Sequence, residues 1–223
     1  MDTFYKIDPN YLFKKQLNDR FGLSAWRRSL ISKIKIKNKI NFLDLGCGLG
    51  AYSSLILKEY GENIKKGFLI DFSKSSHDFL RKSFSKESNI ILINDHALTA
   101  LEQVEDNSIN FAIIFGFLHE IEDRDSLLKL LLQKLNTSHI VLFSDNCLYF
   151  NAKDVNNDFI KSGFKGFAYE KILSLFCFHI FKKLDNSNKD KKYKILFKVG
   201  NVDAVFGIYM SDIMIEKKHP ILK

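Results

Sequence analysis

A glycine-spaced turn that follows an acidic residue is the part of this 223-residue sequence best suited to hold a ligand. Residues 41–53 read NFLDLGCGLGAYS, an apolar run followed by Gly46, Gly48 and Gly50 and then by a helix-like apolar pattern. Glycines at such a turn let the backbone adopt positive φ and let a ligand approach bare amide groups. The pattern predicts a strand, a ligand-binding turn and a helix. An ordinary strand–turn–helix without a ligand is the alternative.

Asp44 narrows the choice of ligand. The spacing Gly46-x-Gly48-x-x-Ala51 also satisfies the loose dinucleotide fingerprint, so the glycines alone do not identify the ligand. Asp44 ends the strand two residues before the first glycine, where its charge would repel a pyrophosphate. A ligand with an ammonium and a sulfonium group is favoured there, and a dinucleotide-dependent enzyme is disfavoured.

Short apolar runs alternate with helical patterns through most of the chain, as in 67–71, 90–93, 108–117 and 139–143. This alternation predicts an α/β fold, a Rossmann-like doubly wound and mostly parallel sheet with flanking helices. Ligands of such sheets bind beyond the carboxyl ends of the strands. We therefore expect one site along that edge, formed by residues at four strand ends: Asp44, Asp71, Asp95 and Phe115-Gly116.

Asp71 ends the second predicted strand, 21 residues after Gly50. A carboxylate in that position can accept both ribose hydroxyls of an adenosyl group. The alternative role is an N-cap for a helix over residues 72–86.

The motifs together resemble those of class I S-adenosylmethionine (SAM) dependent methyltransferases over roughly residues 20–170. The resemblance rests on NFLDLGCGLG, GFLIDFS, ND, EDNSINFAIIFGFLHEIED and HIVLFSDN, in that order. The preceding segment NDRFGLSAWRRSLISKI looks like the first helix of ubiquinone/menaquinone-biosynthesis C-methyltransferases. FLHEIED at 117–123 and LNTS at 135–138 depart from the pattern of those quinone enzymes.

The resemblance implies SAM as the cofactor and gives each matched residue a role. The residues implied at the methionine end are Asp44, Gly46, Cys47 and Gly48. Asp71 would hold the ribose and Phe72 would lie against the adenine. Asp95, with His96 beside it, would meet the adenine amino group. Phe115 and Gly116 would lie beneath the sulfonium and face the acceptor.

His119 is the candidate catalytic base, because it follows the fourth strand at the edge of the site and has Glu120 beside it. A capping or packing role is the alternative. His119-Glu120-Ile121-Glu122-Asp123 is not an H-E-x-x-H zinc motif, and the three cysteines are unclustered, so we predict no metal site. The scattered cysteines also fit a reduced, cytoplasmic protein.

Basic residues are concentrated in the two ends of the chain. Residues 1–40 hold ten Lys and Arg against three acids, residues 161–223 hold thirteen Lys against six acids, and the middle is acidic. Such flanks could dock RNA or protein, or they could be ordinary solvated surface. The Trp26-Arg27-Arg28 cluster could cover the substrate or contact an anion. The alternative places Trp26 in the core and both arginines in water.

Three regions follow from these patterns: an N-terminal helical lid (1–40), a SAM-binding core (41–184) and a C-terminal extension (185–223). The extension contains a predicted β-hairpin, 193–199 with 202–210. No run approaches the about 20 apolar residues of a membrane span. The sequence predicts a methyltransferase for a small or lipidic, quinone-like acceptor. RNA or protein methylation, a non-catalytic SAM-binding subunit and a homodimer stay open.

Overall fold

The computed structural model describes residues 8–18, 22–34, 36, 38–146, 152–164, 166–172, 179–182, 192–195 and 204–210. The helices are α1 (Pro9–Asn18), α2 (Gly22–Lys33), α3 (Ala51–Tyr60), α4 (Lys74–Ser83), α5 (Ala97–Glu102), α6 (Arg124–Lys134) and α7 (Ala152–Lys161). The strands are β1 (Ile40–Leu45), β2 (Ile64–Ile70), β3 (Ile90–Ile93), β4 (Ile109–Phe115), β5 (Leu135–Asn146), β6 (Gly166–Ile172), β7 (His179–Lys182), β8 (Lys192–Ile195) and β9 (Ala204–Met210).

A seven-stranded sheet organises the protein, in the order β3-β2-β1-β4-β5-β9-β6. The first five of these strands are parallel, and β9 is antiparallel to both of its neighbours. The arrangement confirms the predicted doubly wound, mostly parallel α/β fold. Because β1 to β5 are parallel, their carboxyl ends meet along one edge of the sheet, where the predicted site residues lie.

Two apolar cores cover the two faces of the sheet. Alternate residues of a strand point to opposite faces, and β4 shows the consequence. Ile113 and Phe115 pack in the core that includes α2, α3 and α4, whereas Ala112 and Ile114 pack in the core that includes α5, α6 and α7. The near-continuous apolar strands of the sequence therefore reflect burial on both sides.

The second N-terminal helix begins at Gly22, two residues before Ser24, a residue type that favours the N-cap of a helix. Leu30, Ile31 and Ile34 recur at helical spacing and belong to the core. The hydroxyl of Tyr60 in α3 lies within hydrogen-bonding distance of the carbonyls of Ile31 and Ile34, which share its single proton, and so fixes the end of α2 against α3. A lid function of this region stays a prediction.

The predicted C-terminal hairpin is wrong in its pairing. Strand β8 pairs with β7 in a separate two-stranded sheet, and β9 lies inside the main sheet between β5 and β6. The predicted turn at 200–201 lies outside the described residues. The apolar run AVFGIYM of β9 is typical of a strand within a sheet. Proximity in sequence, however, predicts that it pairs with the preceding strand rather than with β5.

None of the helices in the described part of the chain is both long and apolar enough to cross a lipid bilayer.

Candidate functional site at the carboxyl edge of the sheet

The glycine turn between β1 and α3 presents open backbone at one position and is tightly packed at another. Gly46 and Gly48 have φ values of 74° and 52°, in the left-handed region that favours glycine. A Cβ atom at Gly46 would lie 2.3 Å from the ring of Phe117, whereas a Cβ at Gly48 would meet nothing within 4 Å. The backbone at Gly48 is therefore accessible to a ligand.

Asp44 lies beneath this turn and is only 2% exposed. The hydroxyl of Ser53, in the first turn of α3, donates to Asp44 Oδ2 at 2.5 Å. Burial raises the pKa of Asp44 to about 7; the charge of Asp71 adds to this, whereas the Ser53 hydrogen bond and Arg27 oppose it. A cation bound nearby would favour the ionised carboxylate.

Asp71 connects the end of β2 to the glycine turn. Its Oδ2 accepts the backbone N–H of Gly48 at 2.8 Å, and its Oδ1 accepts the backbone N–H of Ser73 at 2.9 Å. Ser73, not Asp71, is the N-cap of α4, so the capping alternative for Asp71 is wrong. Burial raises the pKa of Asp71 despite these two hydrogen bonds. Each carboxylate oxygen has two acceptor sites, so both can still accept a ligand hydroxyl.

Cys47 lies in the turn between these two aspartates. Burial raises the pKa of its thiol well above the ordinary value, and the charges of Asp44 and Asp71 raise it further. The side chain is therefore a neutral, buried packing group at neutral pH.

The end of β3 brings two aromatic rings together. Phe72 and His96 stack with centroids 5.7 Å apart and planes 6° from parallel, and Phe72 is 54% exposed. Asp95 Oδ1 accepts the backbone N–H of His96 at 2.7 Å. The Asn94 side chain donates to the carbonyl of Asp71 at 3.0 Å, which ties the ends of β2 and β3 to each other.

His119 and Asp145 form a hydrogen-bonded pair beyond β4 and β5. His119 Nδ1 lies 2.8 Å from Asp145 Oδ1, and the backbone N–H of His119 donates to Asp145 Oδ2 at 3.2 Å. The Asp145 side chain is fully buried, whereas that of His119 is 21% exposed. A carboxylate only accepts, so Nδ1 carries the proton, and the lone pair of a neutral ring is on Nε2. Glu120 Oε1 lies 3.9 Å from that Nε2.

Arg27 of α2 occupies the space between the ends of β4 and β5. The side chain is 9% exposed; Nε donates to Ser144 Oγ at 3.2 Å and Nη2 donates to the Ser144 carbonyl at 3.0 Å. The guanidinium carbon lies 5.1 Å from the ring centroid of Phe115 and 5.7 Å from that of Tyr52. The alternative that places this arginine in water is therefore wrong for Arg27. The side chain of Trp26 lies outside the described residues.

Gly116 continues β4 at the open surface of the site. Its φ is 69°, its N–H donates to the Ser144 carbonyl at 2.7 Å, and a Cβ there would lie 3.4 Å from Arg27 Nη2. The structure thus brings the predicted residues of all four strand ends to one edge. It adds four residues to which the sequence gave no role in the site or only an open one: Arg27, Tyr52, Ser144 and Asp145. The sequence could have indicated Asp145 as a site residue, because it lies at the end of a buried apolar strand as Asp44 and Asp71 do.

Residues 42–138 match the family model described as a methyltransferase domain. No curated protein matches the sequence. Among solved structures, a SAM-dependent methyltransferase from Archaeoglobus fulgidus has a TM-score of 0.59 at 18% identity and covers 92% of this chain and 100% of its own. One from Aquifex aeolicus has a TM-score of 0.58 at 14% identity, covering 91% of this chain and 99% of its own.

A third similar structure is a Haemonchus contortus phosphoethanolamine N-methyltransferase in complex with S-adenosylhomocysteine. Its TM-score is 0.61 at 16% identity, and the match covers 73% of this chain and 42% of that one. At these identities the structures show the fold, whereas the family model covers the glycine turn and the strand ends. The resemblance to quinone-biosynthesis enzymes stays a prediction. Residues 42–138 are thus similar to a methyltransferase domain, and the fold is the one found in solved SAM-dependent methyltransferases.

Proposed function

We propose that the protein methylates a small or lipidic acceptor, with His119 as the general base and Asp145 as the residue that positions it. The observation that carries this proposal is the 2.8 Å hydrogen bond between His119 Nδ1 and the buried Asp145. A methyltransferase binds its acceptor next to the cofactor, and both residues lie at the ends of the strands on one side of the glycine turn.

The edge of the sheet fits SAM. The open position at Gly48 and the unused acceptor sites on Asp71 suit a ligand that carries ribose hydroxyls. Asp44, Gly46, Cys47 and Gly48 would surround the methionyl end, and Phe115 and Gly116 would lie beneath the sulfonium. Bound SAM supplies an electrophilic methyl group for in-line displacement. The protein contributes chiefly orientation of the two reactants.

The adenine end of the site is open on one side. Phe72 and His96 are 5.7 Å apart, and a purine between them would need two contacts of about 3.5 Å each. The adenine therefore cannot stack between the two rings. The exposed ring of Phe72 would instead cover one face of the adenine. The second carboxylate oxygen of Asp95 would accept from the adenine amino group.

Asp145 gives His119 the properties of a base. By accepting from Nδ1 it fixes the tautomer that places the lone pair on Nε2, and its negative charge stabilises the imidazolium after proton transfer. The second hydrogen bond, from the His119 backbone, holds the loop itself against Asp145. Nε2 would remove the proton of the acceptor group that receives the methyl.

The charge of the site favours a small acceptor over a polyanion. Burial raises the pKa of Glu120; His119 opposes this rise, and the negative charges of Asp71 and Asp145 add to it, so the three carboxylates are close enough to interact. Such an acidic edge repels the phosphates of RNA. Most of the C-terminal basic flank lies outside the described residues, and RNA or protein docking through the flanks is retained as the alternative. Cytoplasmic location and a homodimer also stay predictions.

Methyl transfer from radiolabelled SAM to separated pools of lipids, quinones, small acids and bulk RNA tests the proposal. We expect label in a small-molecule or lipid pool, and a loss of about 100-fold or more in rate for His119→Ala and about 10-fold or more for Asp145→Asn. His139→Gln is the matched control. His139 is hydrogen-bonded to the Asn136 carbonyl in the first part of β5 and lies away from the carboxyl ends of the strands, where the site is.

Three outcomes would contradict parts of this proposal. Label in RNA alone, with binding that weakens steeply as salt rises, would favour the nucleic-acid alternative. Binding of S-adenosylhomocysteine without transfer to any pool would favour a non-catalytic subunit. Full activity of His119→Ala would show that His119 is not the base.

A further inference from the structure

Arg27 is incompletely hydrogen-bonded for a cation that is only 9% exposed. A guanidinium has five N–H donors. Ser144 accepts from Nε and from Nη2, and within the described residues nothing accepts from Nη1. The rings of Phe115 and Tyr52 stabilise the charge through their faces but accept no hydrogen bond of normal strength. Buried donors without a partner cost free energy, which a bound anion would offset.

The protein supplies no ion-pair partner for Arg27 in the part of the chain that the structure describes. None of the carboxylates there lies within 4.0 Å of its nitrogens. Asp44 is near enough for Arg27 to oppose the rise in its pKa, but a pKa of about 7 leaves Asp44 partly protonated at neutral pH. The charge of Arg27 is therefore available to a ligand.

Arg27 lies at the ends of β4 and β5, beside the proposed base. Nη2 lies 3.4 Å from the place of a Cβ on Gly116, a residue exposed at the open edge. The partner of Arg27, Ser144, is followed in β5 by Asp145. Asp145 in turn is the partner of His119. The cation and the base are thus attached to consecutive residues of one strand, whose Cα atoms are about 3.8 Å apart.

The cation and the base approach the end of β5 from opposite faces of the sheet. Within 140–143 of β5, even-numbered residues belong to the core that includes α2, and odd-numbered residues belong to the core that includes α6. Ser144 and Asp145 continue this alternation. A ligand that reaches both Arg27 and His119 therefore crosses the ends of β4 and β5. The residues proposed for ribose and adenine lie at β2 and β3, on the other side of β1.

We propose that Arg27 binds a carboxylate of the methyl acceptor, and that the acceptor is an organic acid whose separate hydroxyl or amino group faces His119. This inference rests on the proposed function and narrows its acceptor to the acids. With Nε and one N–H of Nη2 bonded to Ser144, the parallel N–H groups of Nη1 and Nη2 have the geometry that suits a carboxylate.

The charge of the site favours a carboxylate over a phosphate ester. Asp71 raises the pKa of Asp44 and also that of Glu120, so acidic side chains along this edge are close enough to interact. One guanidinium among them can compensate a single negative charge. A phosphate monoester carries about −1.5 to −2 at neutral pH and would meet more repulsion.

Methyl transfer to the pool of small acids tests this assignment, and the same pool with its carboxylates converted to ethyl esters is the matched probe. Esterification removes the negative charge and leaves hydroxyl groups in place. We expect label in the untreated pool and at least about tenfold less in the esterified one. For the labelled acid isolated from the pool, Arg27→Gln should raise KM about 10- to 100-fold and change kcat less than about threefold.

Two further variants separate the contact from general effects of charge. Arg27→Lys keeps the charge but loses the parallel donors, so its KM should lie between those of Arg27→Gln and wild type. Arg28 is the matched control, because its side chain donates to the carbonyl of Gln16 in α1 rather than to a strand end. Arg28→Gln should leave KM and kcat unchanged.

Calorimetry shows whether Arg27 acts on the cofactor instead. S-adenosylhomocysteine carries the amino-acid end of SAM, and 5′-methylthioadenosine has the same thioether and adenosyl group without it. Arg27→Gln should bind both within about threefold of wild type, which also shows that the variant is folded. A loss for S-adenosylhomocysteine alone would place Arg27 on the cofactor, and an equal loss for both ligands would show that it only supports the fold. Either result overturns the assignment.

The transfer assay distinguishes failure of this inference from failure of the proposed function. Equal labelling of the untreated and esterified pools, or a KM that Arg27→Gln leaves unchanged, would refute the inference and leave the proposed function standing. If wild type labels no small-molecule or lipid pool, the proposed function is refuted and the inference with it.

Discussion

The two halves of the site are built in different ways. In the cofactor half, at the ends of β1 to β3, the carboxylates accept within one loop or between adjacent strand ends: Asp71 accepts from Ser73 two residues away and from Gly48 23 residues away. In the acceptor half, at the ends of β4 and β5, the hydrogen bonds span 26 residues between His119 and Asp145 and 117 residues between Arg27 and Ser144.

This difference separates what each half can do. The cofactor half would recognise the same ligand whatever the acceptor, so a compact motif with a fixed backbone geometry would be sufficient for it. The acceptor half combines a helix from the N-terminal region with two strand ends, so its shape depends on how distant segments pack. Variants should therefore divide into three classes: loss of all adenosyl binding, loss of the amino-acid contact alone, and loss of transfer alone.

The largest effect is expected from Asp71→Ala. Loss of a carboxylate that accepts two ribose hydroxyls should weaken S-adenosylhomocysteine about 100- to 10,000-fold. Methylthioadenosine should weaken by a similar factor, because it keeps the ribose. Calorimetry measures both, with Asp78→Ala on the exposed side of α4 as the control. Equal affinities in Asp71→Ala and wild type would remove Asp71 from the cofactor site.

A smaller effect, on stability, is expected from Gly46→Ala, because this position joins the two halves. The added Cβ would lie 2.3 Å from Phe117 Cγ and 2.5 Å from Phe117 Cβ, so rotation of the ring cannot relieve the clash. The positive φ of 74° adds strain. The free energy of unfolding should fall by about 3 kcal/mol.

Gly61→Ala is the control for Gly46→Ala in a denaturant titration. Gly61 has a helical φ of −49° and open space around its Cβ position, so alanine should be neutral or slightly stabilising there. If the two variants unfold at the same denaturant concentration, the contact between the turn and Phe117 does not support the site.

The sequence was sufficient to place the carboxylates at the ends of β1 to β3, because the determinants of these strands are local. Apolar runs that end in Asp44, Asp71 and Asp95 predict strands and carboxylates together, and parallel pairing then places them on one edge. The same rule extends to Asp145, whose hydrogen bond to His119 still requires the relative position of two loops. The hydrogen bond from the Gly48 N–H to Asp71 could not be predicted either, since no sequence pattern specifies from which backbone amide a carboxylate accepts.

Two regions could not be predicted for reasons of packing. Arg27 looks like a solvated helix residue because sequence spacing does not reveal that Ser144, Phe115 and Tyr52 surround it. Strand β9 pairs with β5, about 60 residues earlier in the chain, and the burial of that contact outweighs the entropy cost of closing the long loop. Local turn patterns favour the shorter hairpin instead.

The smallest effect expected is a pH dependence of ligand affinity, which distinguishes the contribution of Asp44 from that of Asp71. The pKa of Asp44 is about 7 in the protein without ligand, and an ammonium group beside it favours the ionised form. Binding of S-adenosylhomocysteine should therefore release a proton below pH 7. Affinity should rise with pH, by at most about tenfold per unit, and level off above about pH 7. Calorimetry from pH 5.5 to 7.5, in buffers of different ionisation enthalpy, measures the affinity and the proton release.

Methylthioadenosine distinguishes the contribution of Asp44 from that of Asp71, whose pKa is also raised. It keeps the ribose that Asp71 would bind but has no ammonium group, so any pH dependence that arises at Asp71 appears with both ligands. The dependence due to Asp44 appears only with S-adenosylhomocysteine and should be absent in Asp44→Asn, which should also bind it more weakly at pH 7.5. If both ligands show the same pH dependence in wild type, Asp44 does not contact the ammonium group.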